Sequence, residues 1–339
     1  MVRVLIIKLS SMGDIIHALP SLSDAAKHNP TIEFHWVVEK SFKDIPLWHP
    51  NVTRVIPIEL RRWRKERWRC LFNGEFRAFL RDLRKERYDL VIDAQSSIKS
   101  AIVTRLSRGL RCGYSFKTTR ERFASLFYQK RFSVIFEQHA IRRMRLLFSK
   151  VLGYTFNDSI PDYGVNRNTL PAMAAPCQTP FLVFLHGTSW ATKLWPENYW
   201  RALIKRANSA GFTVLLPWGN ADEKARAERL ASAQALVLPK LKINEVSAII
   251  TQAKAVVSVD TGLGHAAAAF GVPAVSLYGP TDPRFTAALG NKQLHLAADF
   301  SCAPCQQKVC SYTGPSEEKP ACFTTLPPDA VWRQLESLL

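Results

Sequence analysis

The feature that most constrains the fold is an alternation of apolar runs and helix-like segments that occurs twice along 339 residues. The first half carries the runs VRVLIIK, IEFHWVVE, VTRVIPI and YDLVIDAQ, and the helical patterns GEFRAFLRDLRKER and HAIRRMRLLFSKVLG. A continuous apolar run such as VLII is typical of a parallel strand buried on both faces. Strands that alternate with helices favour a doubly wound α/β domain.

The alternation restarts after residue 180, with the runs FLVFLH, FTVLLPWG, ALVLPK, AVVSVD and AVSLYG separated by helical patterns. Residues 155–180 are rich in Pro, Asn, Asp and Ser without periodicity, which is typical of a linker. We therefore predict an α/β fold with two facing Rossmann-like, doubly wound domains, residues 1–154 and 181–339, joined by the linker 155–180. Ligands of such sheets collect beyond the carboxyl ends of the strands, which points to a cleft between the domains.

The composition narrows the class of protein and its partners. Hydrophobic residues make up 47% of the chain and charged residues 22%, a globular profile. No run reaches the ~18 apolar residues of a membrane span, and the N-terminus shows no basic leader, so we expect a cytoplasmic protein. The net charge of +18 predicts a polyanionic partner, which could be nucleic acid, an anionic membrane face or a phosphorylated substrate.

Seven cysteines fall into two groups. Cys70, Cys112 and Cys177 are scattered and are expected to be free thiols in a reducing compartment. Four others lie close together near the C-terminus, and their spacing could hold zinc in a four-thiolate structural site: Cys302, Cys305, Cys310 and Cys322. A redox-labile cluster or a merely structural one are the alternatives.

Asp14 follows the first strand in the turn SSMGD. Gly13 allows the sharp turn, and the dipole of the next helix favours the ionised carboxylate. Asp14 is either a helix cap or a general base that takes a proton from an attacking hydroxyl.

Polar residues also follow the strands of the second half. Thr188, Ser189 and Lys193, in GTSWATKLWP, could hold a diphosphate, although Lys193 alone would be an ordinary surface lysine. Two further strand ends offer a ribose or phosphate site, or else simple capping and packing: Asp260, Thr261, Gly262 and His265 in DTGLGH, and Glu223 in PWGNADE.

The stretch RRWRKERWR, residues 61–69, holds six cations interleaved with Trp63 and Trp68. It could bind phosphates of nucleic acid, the charged groups of an acidic sugar or an anionic bilayer, and few nearby acids balance it. The sequence has no Asp-x-Asp pair, which disfavours a metal-bridged nucleotide diphosphate. A leaving diphosphate would then be neutralised by Lys193 and backbone amides.

Five segments together resemble the ADP-heptose:lipopolysaccharide heptosyltransferases, in order from residue 2 to about residue 285: IIKLSSMGDIIHALP, VIPIELRRWRKERW, FLHGTSWATKLWPENYW, LLPWGNADE and VVSVDTGLGHAAAAFGVPAVSLYGPTDP. The resemblance implies a GT-B-type architecture and an inverting transfer of L-glycero-D-manno-heptose from ADP-heptose to Kdo of Kdo-lipid A, in lipopolysaccharide inner-core biosynthesis. It implies no required cofactor and no divalent metal for the chemistry.

The same resemblance assigns roles to individual residues. Asp14 matches the catalytic base of the family. On the donor side, the phosphate-binding loop is matched by Thr188, Ser189 and Lys193, and the ribose contact by Glu223. The heptose and phosphate contacts are matched by Asp260, Thr261, Gly262 and His265. The basic acceptor site is matched by Arg61, Arg62, Lys65, Arg120 and Arg143. The chain departs from the family pattern at Gly187, where another hydroxyl residue is expected, and in its four C-terminal cysteines.

The implied partners are the Kdo-lipid A acceptor and the anionic surface of the inner membrane, on whose cytoplasmic face we expect peripheral association. No nucleic acid and no obligate protein partner are expected. Two rivals remain. One is an enzyme that adds the second heptose, or another nucleotide-sugar transferase of the same architecture. The other is a basic nucleic-acid-binding protein that uses RRWRKERWR.

Overall fold

The computed structural model describes residues 2–66, 69 and 73–339, which form two units, Met1–Thr169 (unit 1) and Leu170–Leu339 (unit 2). The boundary between the units falls inside the predicted linker 155–180. Most of that segment has no regular secondary structure.

Unit 1 is built on a six-stranded parallel sheet with strand order β3-β2-β1-β4-β5-β6. The strands are β1 (Arg3–Ile7), β2 (Glu33–Glu39), β3 (Val52–Ile58), β4 (Leu90–Asp93), β5 (Leu110–Tyr114) and β6 (Lys130–Phe132). The helices are α1 (Met12–Ile16), α2 (Leu19–His28), α3 (Leu60–Lys65), α4 (Glu75–Leu83), α5 (Ile98–Leu106) and α6 (Ala140–Leu152), with a 3₁₀ helix over Arg122–Phe127.

The centre of this sheet forms because its strands are apolar on both faces. In β1, the side chains from Val4 to Ile7 are completely buried, and Ile6 pairs with Trp36 on one side and Ile92 on the other. The apolar positions of α6 fall on one face that packs inward, and the helix ends at Gly153, whose φ of 79° suits a residue without a Cβ.

Unit 2 repeats the plan, with strand order β12-β11-β10-β7-β8-β9 and parallel pairing throughout. The strands are β7 (Phe181–Leu185), β8 (Thr213–Leu216), β9 (Ala235–Val237), β10 (Ala255–Val259), β11 (Ala274–Tyr278) and β12 (Gln293–Ala297). The helices are α7 (Glu197–Ser209), α8 (Ala221–Leu230), α9 (Ile243–Ile250), α10 (Gly262–Ala269), α11 (Pro283–Thr286) and α12 (Pro328–Glu336).

The two sheets share one topology, which confirms the prediction of two doubly wound α/β domains. In each unit the first strand lies between the second and the fourth. The chain therefore adds strands first on one side of the first strand and then on its other side, and the switch points lie between β1 and β4 and between β7 and β10. Loops at the carboxyl ends diverge at such a switch point and leave a crevice for a ligand. The loops that follow these four strands are therefore the first places to look for a site.

Candidate active site

Asp14 lies in the first turn of α1, directly after the switch-point strand β1. Its Oδ2 accepts hydrogen bonds from the backbone N–H of Ser11 (2.9 Å) and from the Ser11 hydroxyl (2.6 Å). Its Oδ1 lies 3.8 Å from Nζ of Lys8. Asp14 therefore caps the helix with one oxygen, and the other oxygen, on a side chain that is 42% exposed, is left to meet a hydroxyl.

Lys8 is the unexpected member of this site. It is the residue after β1, its side chain is only 7% exposed, and its own carbonyl is held by the indole N–H of Trp36 at 3.0 Å. Burial lowers the pKa of Lys8, opposed by the negative charges of Asp14 and Asp93. Desolvation acts to raise the pKa of Asp14, but the Lys8 charge and the two Ser11 hydrogen bonds outweigh it and hold that pKa well below its usual range. Asp14 is thus ionised at neutral pH.

The loop after β4, on the other side of the switch point, forms hydrogen bonds to the turn between β1 and α1. Gln95 accepts hydrogen bonds from the backbone N–H groups of Leu9 and Ser10, both at 3.2 Å. Asp93, completely buried, accepts from the backbone N–H groups of Gln95 and Ser96, each at 2.9 Å, and from the Tyr128 hydroxyl at 2.7 Å. These contacts fix the backbone that presents Asp14.

Two of the predicted acceptor arginines lie near this group, since the positive charges of Arg120 and Arg143 both act to lower the pKa of Lys8. The Arg143 guanidinium stacks over the rings of Tyr114 (4.1 Å) and Phe136 (4.5 Å), and it donates to the carbonyl of Thr118. Its Nε is buried without a hydrogen-bond partner among the described residues. Arg120 is exposed. The structure therefore places both arginines near Lys8, whose ammonium lies beside Asp14.

The three predicted cations of α3 differ in exposure and in ion pairing. Arg61 and Lys65 are exposed, whereas the Arg62 guanidinium forms ion pairs with three carboxylates, those of Glu59 (3.0 Å), Glu66 (2.9 Å) and Glu75. The expectation that few acids balance this stretch is thus wrong at Arg62, because Glu75 reaches it from α4, beyond the stretch itself.

The predicted interleaving tryptophans are not both available to a ligand. Trp63 is buried, packs edge-on against Phe76 and Phe79, and donates its indole N–H to Glu75 at 2.8 Å. Trp68 lies outside the described residues. The described part of this segment therefore offers cations without an exposed tryptophan on which a base could stack.

In unit 2, the loops after β7 and β10 meet at the switch point. Nζ of Lys193 lies 2.7 Å from Oδ2 of Asp260, which also accepts a hydrogen bond from the Thr281 hydroxyl at 2.7 Å. The Thr188 hydroxyl donates to the Asp260 carbonyl at 3.0 Å, and the Lys193 ammonium lies 4.5 Å from the centre of the Trp190 ring. Ser189 is exposed on the same loop. Direct contacts therefore bring Thr188, Lys193 and Asp260 together.

Glu223 lies in the first turn of α8, after β8, and its carboxylate approaches Gly187 in the loop after β7. Its Oε2 accepts from the backbone N–H of Gly219 at 2.7 Å, and its own N–H donates to the capping Asn220 at 3.0 Å. A Cβ at Gly187 would stand 2.7 Å from the carboxyl carbon of Glu223. The Glu223 carboxylate therefore lies where the side chain of the expected hydroxyl residue would be, and any side chain at position 187 would displace it.

The start of α10 carries the remaining predicted donor residues. Thr261 is the N-cap, Gly262 is the first residue of the helix, and His265 is buried one turn later. Gly264 serves packing, since a Cβ there would stand 2.6 Å from the Ser258 hydroxyl. The close approach of α10 to its sheet leaves the N–H groups of its first turn near Asp260, where an anion would be stabilised.

In the described part of the chain, the four C-terminal cysteines are not arranged as the zinc site considered above. Among the described residues, no three His, Cys, Asp or Glu side chains are arranged to hold a metal ion. Cys322 is buried in a 3₁₀ helix, whereas Cys302 and Cys310 are exposed. Burial, and then repulsion from the other three thiols, raises the pKa of Cys322 to about 11, so it is protonated at neutral pH. Cys70 lies outside the described residues.

Comparison with known proteins identifies the family that has this architecture. A family model described as glycosyltransferase family 9 (heptosyltransferase) matches residues 76–315. The chain belongs to this family. Family 9 relatives with high similarity include lipopolysaccharide heptosyltransferase 1 of Pseudomonas aeruginosa, 50% identical across 99% of this chain and 98% of that protein. The Escherichia coli protein of the same name is 45% identical across 86% of this chain and 92% of its own length.

Solved structures agree with this family 9 assignment. The E. coli heptosyltransferase WaaC with ADP superposes with a TM-score of 0.87 at 40% identity, covering 99% of this chain and all of that one. E. coli ADP-heptose lps heptosyltransferase II, at 20% identity and a TM-score of 0.72, shares the fold. The predicted GT-B-type architecture and glycosyltransferase class are confirmed.

Sequence reasoning missed several members of these sites: Lys8, Asp93, Gln95, Trp190 and Thr281. Lys8 had a detectable signal, since it is a lone cation at the end of an apolar strand beside the Asp14 turn. Asp93 likewise ends an apolar run. Gln95 and Thr281 gave no local signal, because their roles depend on hydrogen bonds across the switch points.

Proposed function

We propose that this family 9 enzyme acts as heptosyltransferase I and transfers L-glycero-D-manno-heptose from ADP-heptose to Kdo of Kdo-lipid A. The observation that carries the proposal is the near full-length identity to relatives named lipopolysaccharide heptosyltransferase 1. The acceptor side of the reaction is assigned to unit 1 and the donor side to unit 2.

In this proposal Asp14 is the general base. A Kdo hydroxyl attacks the anomeric carbon of the heptose, its proton passes to Oδ1 of Asp14, and the bond from that carbon to the diphosphate oxygen breaks with inversion. Support comes from the geometry: Oδ2 accepts both hydrogen bonds from Ser11, while Oδ1 lies 3.8 Å from the Lys8 ammonium. Because Lys8 and Arg143 are buried or half-buried cations, they would stabilise the acceptor carboxylate more strongly than exposed cations do.

The negative charge that develops on the departing ADP is assigned to Lys193 and to the N-terminus of α10. An ammonium has three N–H donors, and the contact with Asp260 uses one of them. Thr188, Ser189, Thr261, Gly262 and His265 would complete the phosphate and heptose contacts, and Glu223 would accept from the ribose hydroxyls. We assign the neutralisation to these groups and to no divalent metal, since the sequence has no Asp-x-Asp pair.

We place the enzyme at the cytoplasmic face of the inner membrane, where it would bind the anionic surface peripherally. None of the helices among the described residues is both long and apolar enough to cross a bilayer. The net charge of +18 supports attraction to an anionic surface and to the phosphates of lipid A. No nucleic acid and no obligate protein partner is part of the proposal.

A paired-acceptor assay tests the proposal. Purified protein is given ADP-heptose with Kdo-lipid A, or with the same lipid that already bears one heptose, and the products are resolved by mass. We expect one heptose to be added to the first acceptor and none to the second. The reverse outcome would make the enzyme a second-heptose transferase, and transfer to neither acceptor would refute the proposal.

A further inference from the structure

Seven large apolar side chains are exposed within a short stretch of unit 1, between residues 98 and 136. Their exposed fractions run from 40% to 70%: Ile98, Ile102, Phe116, Phe123, Leu126, Ile135 and Phe136. We call them the apolar surface. Only five other large apolar side chains reach 40% exposure in the rest of the described chain, and they are scattered from Leu47 to Leu339. An exposed concentration of this kind marks an interaction surface.

Four members of the apolar surface come from two helices that pack side by side: Ile98, Ile102, Phe123 and Leu126. Ile98 and Ile102 are one turn apart on α5. The N–H of Ile98 donates to the carboxylate of Glu121 at 2.8 Å, directly before the 3₁₀ helix that carries Phe123 and Leu126. Beneath them, buried side chains of both helices form one small core: Ala101, Ala124 and Tyr128.

The other three members lie on neighbouring loops. The ring of Phe116 meets that of Phe123 edge-on at 6.3 Å. The loop that carries Phe116 is joined to the loop that carries Ile135 and Phe136 by the hydrogen bond from the N–H of Val134 to the Thr118 hydroxyl at 3.4 Å. The apolar surface is therefore a contiguous region of unit 1.

This region lies along the same edge of the sheet as Asp14. The segments that carry it follow β4, β5 and β6, which run parallel to β1, so each of these segments begins at the carboxyl edge. Phe136 also lies 4.5 Å from the Arg143 guanidinium, whose charge acts on Lys8. The apolar surface thus adjoins the acceptor residues.

The net charge of this segment indicates which partner binds the apolar surface. Residues 98–136 contain nine lysines and arginines against one acid, Glu121. Several of these cations are exposed among the apolar side chains: Lys99, Lys117, Arg122, Lys130 and Arg131. Exposed rings and aliphatic chains with surrounding cations suit the boundary of an anionic bilayer, where the apolar groups enter the acyl region and the cations meet the headgroups.

We propose that the apolar surface docks on a bilayer that contains anionic phospholipid. The proposal rests on the proposed function in one respect, since a lipid acceptor anchored in that bilayer would reach Asp14 along the same edge. Docking itself needs neither substrate.

Flotation of the full chain with vesicles tests the docking. The probes are vesicles of phosphatidylcholine alone and of phosphatidylcholine mixed with phosphatidylglycerol. We expect binding to the mixed vesicles, and at least about tenfold weaker binding for Phe123→Ser/Leu126→Ser, because each change removes a large apolar side chain from the lipid. Lys117→Gln/Lys130→Gln should weaken binding to the mixed vesicles only. The matched control is Ile160→Ser/Val309→Ser, which removes two equally exposed apolar side chains elsewhere and should bind as the parent does.

Transfer assays with two acceptors distinguish a failure of membrane docking from a failure of the proposed heptosyltransferase activity. With the acceptor in vesicles, Phe123→Ser/Leu126→Ser should lose transfer, while with a deacylated, water-soluble acceptor it should keep the parent rate. Failure of transfer to any acceptor would leave the flotation result standing. Equal flotation of this variant and the parent, or no binding of the parent to mixed vesicles, would overturn the docking. Light scattering that shows a dimer lost in the same variant, without a change in flotation, would assign the surface to a second copy of the chain instead.

Discussion

At the scale of single residues, the two roles that the sequence presented as alternatives for Asp14, helix cap and general base, do not exclude each other. A carboxylate has two oxygens, and the structure gives Oδ2 to the Ser11 cap and directs Oδ1 toward Lys8. The capping bonds hold the side chain in one orientation, which is what a general base needs. In the proposed reaction, the cap would therefore position the base.

Asp14→Asn is expected to lower kcat by a factor on the order of hundreds or more, with donor affinity unchanged. The amide oxygen can still accept from Ser11, so the helix cap is retained while the proton acceptor is lost. Steady-state kinetics and calorimetric binding of ADP measure the two effects. Ser11→Ala is the matched variant, since it removes one capping bond and keeps the carboxylate, and it should lose far less activity. Parent-like turnover of Asp14→Asn would refute the assignment of the base.

Lys8→Met is expected to move the acid limb of the pH profile of kcat/KM to higher pH. Lys8 helps to hold the pKa of Asp14 low, so its removal raises that pKa, and the ionised base is then lost at a higher pH as the solution is acidified. Rates across a pH series measure the shift. Lys43→Met, at an exposed lysine, is the control and should leave the limb in place. An unmoved limb in Lys8→Met would show that Asp14 does not set it.

Lys193→Ala is expected to weaken ADP binding by roughly tenfold to a hundredfold, because a charge-assisted contact to phosphate is lost. Titration calorimetry gives the affinity, and thermal unfolding reports the cost of leaving the nearly buried Asp260 without its cation. Lys205→Ala changes an exposed lysine on α7 and serves as the control. Unchanged ADP affinity would remove Lys193 from the donor site.

At the scale of elements, the strands with apolar runs were predictable, including the edge strands β3 and β9. The runs of β1, β2, β4, β7 and β10 are apolar because both faces of these strands are covered. Three strands went unpredicted: β5, β6 and β12. The sequence of β6 is KRF, and β12 is half-exposed at an edge, so their strand character comes from pairing with a neighbour rather than from their own residues.

Within β5, Gly113 shows the same dependence on distant partners. A Cβ at Gly113 would stand 2.4 Å from the Tyr128 ring, and Tyr128 in turn holds Asp93. The glycine that weakens the strand pattern is therefore required by a residue 15 positions away in the sequence. Local periodicity carries no information about such a contact.

Gly187→Ala is expected to weaken ADP binding about tenfold with little change in melting temperature. The new Cβ displaces the Glu223 carboxylate, which can move because it is the end of a flexible side chain, and a charge-assisted contact is lost. Adding Gly187→Ala to Glu223→Ala should then cost nothing further, which calorimetry of the double variant measures. Additive losses in the double variant would mean that Gly187 acts independently of Glu223.

At the scale of the whole molecule, the charge of +18 predicted an anionic partner without choosing one. The structure narrows the choice by separating compensated cations from exposed ones. Arg62 is neutralised by three glutamates and Trp63 is buried, so the basic segment is a poorer nucleic-acid site than its sequence suggested. Arg61, Lys65 and Arg120 keep their charges exposed on unit 1.

The KM for a water-soluble acceptor is therefore expected to rise several-fold as salt is increased, with kcat little changed. Exposed charges are screened beyond about 10 Å at 0.1 M salt, and ground-state attraction of the acceptor affects KM rather than the chemical step. Arg61→Gln/Lys65→Gln should start from a higher KM and respond less to salt. Lys240→Gln/Lys254→Gln, two exposed lysines of unit 2, changes the net charge equally and should behave as the parent does. If both double variants responded to salt alike, the effect would belong to the total charge of the molecule and not to an acceptor site on unit 1.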